Sequence, residues 1–263
     1  MIKLFVTDLD GTLLGNNHYI SNEDISAIQE IIDQGIQFGI ATGRMDHEIQ
    51  EILKRIARAG HRISQNGAYV YDLAHKKISG RTFEAEISRT LLEAVNQDHV
   101  VVTVSTDRET HVLERNEMVD LIEKQLFHSI QVTPNMAELF GSNINPSKIS
   151  VFGEQKDLPP MIQKINQTFD QQMDCYISYP TCFDIMPKNI NKANAILPIL
   201  QTNSIHPDEL ACIGDSHNDI EMLRLTKHSY AISTADPEVK QVANYVVDHV
   251  HEAIEDLRRK SLL

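Results

Sequence analysis

Two aspartates one residue apart, Asp8 and Asp10, close the opening stretch IKLFVTDLDGTLL of residues 2–14. The residues before them, Ile2, Leu4, Phe5 and Val6, are the apolar run that a strand buried on both faces requires. A strand that delivers acids at its carboxyl end has the anatomy of a reactive site in an open α/β sheet. Alternation would send both acids to one side, but Gly11 can turn the chain sharply, so their proximity is fixed and their direction is not. Two close carboxylates repel unless one keeps a proton or a cation lies between them. An Asp-Gly pair alone is a common turn signal. D-x-D-G-T at the end of an apolar strand is much rarer, and it points to chemistry.

A second acidic strand end lies far along the chain, where the apolar residues 210–213 run into Gly214-Asp215-Ser216-His217-Asn218-Asp219. Asp8, Asp10, Asp215 and Asp219 make a hard-oxygen set without Cys or His partners, and such ligation favours Mg²⁺ sharing its shell with a phosphate. His217 sits among acids and reads as a rim residue, while His249 and His251 read as solvated. A carboxylate beside Mg²⁺ either binds metal only or attacks phosphorus to form an aspartyl-phosphate. Asp8, on the strand itself, is the candidate nucleophile, and Asp10 the group that protonates a leaving alkoxide and then activates water. An acid at position 10 implies turnover of the phosphoenzyme, hence hydrolysis.

Such chemistry needs positive charge and donors around the phosphoryl oxygens. Lys192 is the candidate cation; a lysine near a helix start is disfavoured by the macrodipole, which argues for a task other than solvation. Lys188 rivals it, and spacing does not separate the two. Thr42 beside Gly43, after a second short apolar strand, and the Asn218 amide are candidate phosphate donors. A helix N-cap explains Thr42 about as well. Arg44, His47 and Asn66 are candidate substrate contacts, although Arg44 and His47 read equally well as surface residues of a first helical turn.

The elements that must position these groups follow from periodicity. Ser21 and Asp24 offer a capping box for a helix carrying Ile25, Ile28, Ile31 and Ile32 that stops at Gly35. Residues 36–41 form the second strand, and strand, helix and strand imply a right-handed parallel βαβ unit that places Thr42 at the same sheet edge as Asp8. A helix over 46–59 follows, then 62–72 with Asn66-Gly67 in its middle and a hairpin return at 76–80. From residue 83 the character changes to helices at 84–96, 117–127 and 158–169 and strands at 100–106, 111–114, 148–152, 173–178 and 183–186, with a Pro/Asn-rich passage between. This predicts an α+β module inserted into the other fold. Alternation resumes at Asn191 with a helix that Pro198 should kink or shorten. It continues through strands at 210–213, 229–232 and 245–247, a helix after Asp219, another at 237–243 and a closing amphipathic helix from His251. The expected architecture is a doubly wound parallel α/β sheet, residues 1–82 and 187–263, with an α+β domain at 83–186.

The formal charge of −13 excludes a predominantly cationic nucleic-acid surface, but not a locally cationic pocket for a small phosphorylated metabolite. Three scattered cysteines give neither a disulfide framework nor a zinc knuckle. Neither a signal peptide nor a bilayer-length apolar run is evident, so the expected setting is the cytoplasm, away from the membrane.

Together DLDGTLL, IATGR, Lys192 and GDSHNDIEML resemble the haloacid dehalogenase-like hydrolase superfamily, and within it the Cof-type phosphatases. Q-N-G-A at 65–68 and TADPEVKQVANYV are similar to the same branch. The resemblance implies Asp8 as nucleophile, Asp10 as general acid/base and, through its backbone carbonyl, a metal ligand. It implies Thr42 as a phosphate-binding hydroxyl, Lys192 as the phosphoenzyme's cation, and Asp215 and Asp219 as Mg²⁺ acids. The middle segment resembles the large α/β cap of that branch. Ala193 stands where the family usually has Gly, Thr234-Ala235 replaces a common Asn-Ala, and Pro198 is unusual in its helix. A Mg²⁺-dependent phosphatase acting on sugar, nucleotide or cofactor phosphates is the leading expectation. A phosphomutase or phosphotransferase, or a sensor that keeps the fold without catalysis, are the alternatives.

Overall fold

The computed structural model describes residues 1–15, 19–126 and 128–263. The chain divides into two compact units, Met1–Ser79 with Asn191–Leu263, and Gly80–Ile190. In chain order the first begins with β1 (Leu4–Thr7), α1 (Asn22–Asp33), β2 (Gln37–Ala41), α2 (Asp46–Ile56), β3 (His61–Ser64), β4 (Tyr69–Tyr71) and β5 (Lys77–Gly80). The second unit supplies α3 (Ala85–Val95), β6 (Val101–Ser105), β7 (Thr110–Val112), α4 (Glu117–Gln125), β8 (Ile130–Val132), α5 (Met136–Leu139), β9 (Lys148–Phe152), α6 (Leu158–Phe169), β10 (Met173–Tyr179) and β11 (Cys182–Pro187). The chain then returns with α7 (Lys192–Thr202), β12 (Leu210–Gly214), α8 (Ile220–Arg224), β13 (His228–Ile232), α9 (Pro237–Val242), β14 (Tyr245–Val247) and α10 (Val250–Arg259).

Among the described residues the first unit carries an eight-stranded sheet in the order β14-β13-β12-β1-β2-β3-β4-β5. From β14 to β3 all neighbours are parallel, and β4 turns back antiparallel on β3. Alternation along β1 explains the three layers: Phe5 faces a cluster with Ile28 and Ile31 of α1, Ile49 and Ile52 of α2 and Ile254 of α10. Leu4 and Val6 face the opposite cluster, with Ile196 and Ile199 of α7, Met222 of α8 and Val239 of α9. This is the doubly wound α/β architecture that the apolar strands imply. The order reverses at β1, which has β12 on one side and β2 on the other, and that reversal opens a crevice beyond the carboxyl ends of the strands.

Local rules hold at most boundaries. Ser21 Oγ accepts the Asp24 N–H at 2.9 Å and donates to the Asp24 carboxylate at 2.7 Å, fixing the start of α1. Helix α2 stops at Ile56, short of the expected 59, because Ala57 takes a left-handed φ of 56° and its N–H bonds the Lys54 carbonyl. Pro198 does not end α7, which runs on to Thr202. His251 is not merely solvated: its backbone N–H and Nδ1 both meet an Asp24 oxygen, at 2.7 and 2.9 Å, joining the first turns of α10 and α1.

The second unit has its own six-stranded sheet, β10-β11-β9-β6-β7-β8, antiparallel except where β7 meets β8. Val102, Val104, Ile149, Val151, Phe183 and Ile185 line one face of it against Leu91 of α3 and Ile165 of α6. The Pro/Asn-rich passage holds β8 and α5, neither of which the sequence pattern predicts. Helix α4 ends at Gln125; its expected end, Phe127, lies outside the described residues.

Candidate active site

Both acidic motifs leave the sheet at neighbouring strand ends. Thr7 pairs with Ile213 in register, and the Asp8 N–H continues the ladder to the Ile213 carbonyl at 2.9 Å. Asp8 and Asp215 therefore emerge side by side although far apart in sequence. Gly11 makes the approach possible: it takes φ +83°, and a Cβ there would lie 2.5 Å from Asp215 Oδ2. The Thr12 hydroxyl, in the same turn, donates to Asp215 Oδ1 at 2.6 Å.

Asp219 is drawn into the strand end rather than out of it. Its Oδ2 accepts the N–H groups of Asp215 and Ser216, both at 3.0 Å, and its Oδ1 accepts from Lys192 at 2.7 Å. The second bond of Lys192 Nζ goes to Asp8 Oδ1 at 2.6 Å. Lys192 is 1% exposed, Asp219 not at all and Asp8 4%. Asp8 Oδ2 accepts no hydrogen bond among the described residues. Carboxylate oxygens of Asp8, Asp215 and Asp219 all lie within 4.8 Å of one another.

The electrostatics follow from this crowding. Burial pushes the Asp8 carboxyl well above its ordinary range, Lys192 opposes it, and the neighbouring Asp219 and Asp215 push it further up. Burial also raises Asp215, with Asp219 adding to it and the Thr12 and Ser216 hydroxyls working against it. Lys192 is penalised by burial, yet the Asp219 and Asp8 carboxylates outweigh that and hold its ammonium above the usual lysine range. Two buried acids and the half-buried Asp215 lie around one ammonium, which bonds Asp8 and Asp219, so the cluster is short of positive charge. An oxygen-only donor set in that condition fits a hard divalent cation.

The sequence placed Asp10 with these acids, but its carboxylate is turned elsewhere. Arg44 Nε and Nη2 grip its two oxygens at 2.8 and 2.7 Å. Arg44 is no surface residue: it is 8% exposed, and its Nη1 bonds Glu48 Oε1 at 3.0 Å. Burial disfavours the Arg44 charge, but hydrogen bonding and charge from Asp10, with the Glu48 charge, lift it above the ordinary guanidinium range. Lys188, the rival of Lys192, belongs to the second unit, where it bonds Asp174 at 2.8 Å.

The remaining candidates gather around the end of β2. Thr42 is 1% exposed and does not cap α2, whose N-cap is Met45; its hydroxyl accepts the Arg44 N–H at 3.2 Å. Gly43 follows it, half-buried, and His47 is half-buried in the first turn of α2. Gln65 and Asn66 adopt consecutive left-handed conformations, φ 48° and 55°, a costly arrangement for non-glycine residues. The Asn66 N–H bonds the Thr42 carbonyl at 2.9 Å and its side-chain oxygen accepts from Asn218 Nδ2 at 3.1 Å. Asn66 thus holds Asn218 and Thr42 in one corner. His217 stays on the rim, 37% exposed and 3.3 Å from both Asp236 and Glu238.

Two participants escaped the sequence reading. Thr12 lies inside D-x-D-G-T and was passed over as part of the turn. Glu48 is wholly buried at the i+4 position from Arg44, a spacing that does signal a helical ion pair.

The whole chain has known relatives. A sequence model of the haloacid dehalogenase-like hydrolases matches residues 5–254. An HMP-PP phosphatase of Serratia proteamaculans is 24% identical over 244 residues, covering 92% of this chain and 88% of the relative. The crystal structure of TM0651 from Thermotoga maritima superimposes with a TM-score of 0.84 at 25% identity, covering 97% of each chain. A structure described as the HAD subclass IIB sugar phosphatase BT4131 shares the fold, with a TM-score of 0.84 at 23% identity over 99% of this chain and 100% of that one. The motif order read from the strand ends and the match along nearly all of the sequence agree: this chain belongs to the haloacid dehalogenase-like hydrolase family.

Proposed function

We propose that the protein is a Mg²⁺-dependent phosphatase that hydrolyses small phosphate monoesters through an aspartyl-phosphate on Asp8. The observation that carries this reading is the single ammonium of Lys192 bridging Asp8 and Asp219, with no described residue donating to the other Asp8 oxygen. A carboxylate with one oxygen pinned by a cation and the other open is oriented for attack, and its buried setting removes competing water.

Asp8, Asp215 and Asp219 would hold the ion, with the Asp10 carbonyl as a further ligand. Mg²⁺ there supplies charge to neutralise the acids and the phosphoryl oxygens. In the first half-reaction an Asp8 oxygen bonds phosphorus, the ester P–O bond breaks, and Asp10 gives its proton to the leaving oxygen. In the second, water gives a proton to Asp10 as its oxygen bonds phosphorus, and the bond from phosphorus to Asp8 breaks, releasing inorganic phosphate. Lys192 stays beside the reacting carboxylate throughout. The Thr42 hydroxyl, the Gly43 backbone and the second N–H of the Asn218 amide are the neutral donors for the phosphoryl oxygens. The names of relatives, an HMP-PP phosphatase and a sugar phosphatase, support a small phosphorylated metabolite as substrate. The inserted residues 80–190 are the segment that selects it.

Phosphate release from a panel of sugar, nucleotide and cofactor phosphates, with Mg²⁺ and with chelator, tests the proposal. Release should require the metal and fall by at least about a thousandfold in Asp8→Asn. Equal release by wild type and Asp8→Asn would refute it.

A further inference from the structure

We infer that Arg44 is a positioning residue for Asp10, held in turn by Glu48, and not a contact for the substrate. The inference rests on the acid/base role proposed for Asp10. Three observations carry it. The guanidinium takes Asp10 in a fork, Nε to Oδ2 and Nη2 to Oδ1, which fixes the plane of the carboxylate as well as its distance. The fork is itself anchored, because Nη1 bonds Glu48 Oε1 at 3.0 Å while Glu48 Oε2 accepts the Met45 N–H at 2.9 Å. Finally, the Arg44 backbone is tied at both ends, its N–H to the Thr42 hydroxyl and its carbonyl to the Gln65 N–H at 2.8 Å.

Asp10 needs such a hold. It lies just before the left-handed Gly11, beyond the last ladder bond of β1, and its side chain is 21% exposed. Among the described residues the two bonds from Arg44 are the only side-chain hydrogen bonds that fix its carboxylate. The fork occupies one lone pair on each Asp10 oxygen and leaves another on each for a proton. The charge of Arg44 is already matched by Asp10 and Glu48, which makes it a poor anchor for an anionic substrate. Proton transfer to the leaving oxygen and from water then depends on a carboxyl that is aimed before substrate arrives.

The test is a double-mutant cycle between Arg44→Met and Asp10→Asn, read with phenyl phosphate and p-nitrophenyl phosphate in the presence of Mg²⁺. These esters differ chiefly in how much their leaving oxygen needs a proton. Arg44→Met should lower kcat about 10- to 100-fold with KM nearly unchanged, and single-turnover loss should be larger for phenyl phosphate. Added to Asp10→Asn it should cost no more than about twofold, since the two act as one unit. Arg44→Lys, which keeps the charge but not the fork, should fall between wild type and Arg44→Met. Glu48→Gln should show the same pattern more weakly; it takes the place of Arg44→Met in the cycle if thermal melting shows the latter unfolded. A raised KM with kcat intact, equal losses on both esters, or full multiplication of the two losses would overturn the inference and leave the phosphatase reading standing. Unchanged rates in Asp10→Asn alone would remove the acid/base role of Asp10 and this inference with it, while the Asp8→Asn comparison decides the phosphatase reading separately.

Discussion

With Lys192 replaced by Met, Asp8 and Asp219 would keep their burial and lose their shared ammonium. Breaking a buried pair by removing one partner costs about 3–5 kcal/mol, and loss of a preorganised charge costs about 10²–10³ in rate. Lys192→Met should therefore be both inactive and markedly less stable in urea, and Asp8→Asn in the same background should return part of the stability but none of the activity. His61 gives an independent pH signal. Burial lowers its pKa to about 4, with Nε2 bonded to Gln37 at 2.8 Å. The folded state thus binds its proton less readily than the unfolded chain, so this contribution is complete above about pH 6.5 and is lost as pH falls toward 4. It amounts to about 3 kcal/mol, and His61→Gln should flatten the denaturation midpoint between pH 7 and 5. At this scale residue type and strand-end position drew attention to Asp8 and Asp215, whereas Lys192, at the start of α7, had in Lys188 a rival that spacing did not separate. The direction of the Asp10 side chain was not legible in the sequence, because it is set by a partner 34 residues away.

At the scale of elements the decisive device is the close passage of the Gly11 turn over the end of β12. Gly11→Ala would place a methyl group against Asp215 and require a left-handed alanine, at a cost of about 1–2 kcal/mol. The expected result is a folded protein needing more Mg²⁺ for half-maximal rate, checked by a metal titration; an unchanged requirement would mean the turn does not set Asp215. Apolar strands and amphipathic helices such as β9, α6 and α1 could be read from periodicity because their burial patterns are complete within the segment. Strand β8 and helix α5 could not, since they lie within a Pro/Asn-rich passage and are held by packing, as Ile130 is against Val119 and Ile122.

For the molecule as a whole, a bound cation should act as a stabiliser of the folded state alone. Mg²⁺ at about a hundred times its dissociation constant contributes about 2.7 kcal/mol, enough to raise Tm by about 5 °C. Wild type should show that rise on addition of Mg²⁺ to chelated protein, and Asp215→Asn should not. No described helix is long and apolar enough to cross a membrane. The sequence pattern changes near residue 83 and resumes its alternation at Asn191; the structure groups Met1–Ser79 with Asn191–Leu263 and sets Gly80–Ile190 apart.

The pairing of β1 with β12 also dictates an order of events during synthesis. Leu4 must wait for Leu210, and Lys192 and Asp219 reach Asp8 across 184 residues and more. The strands of residues 80–190 need no such delay, since their partners all lie within one continuous segment. A nascent chain can therefore complete the inserted unit while the apolar strand that bears Asp8 still lacks its β12 neighbour. That interval, closed only once residues 210–214 have left the ribosome, leaves an apolar strand unpaired, the condition under which a nascent chain is prone to aggregate.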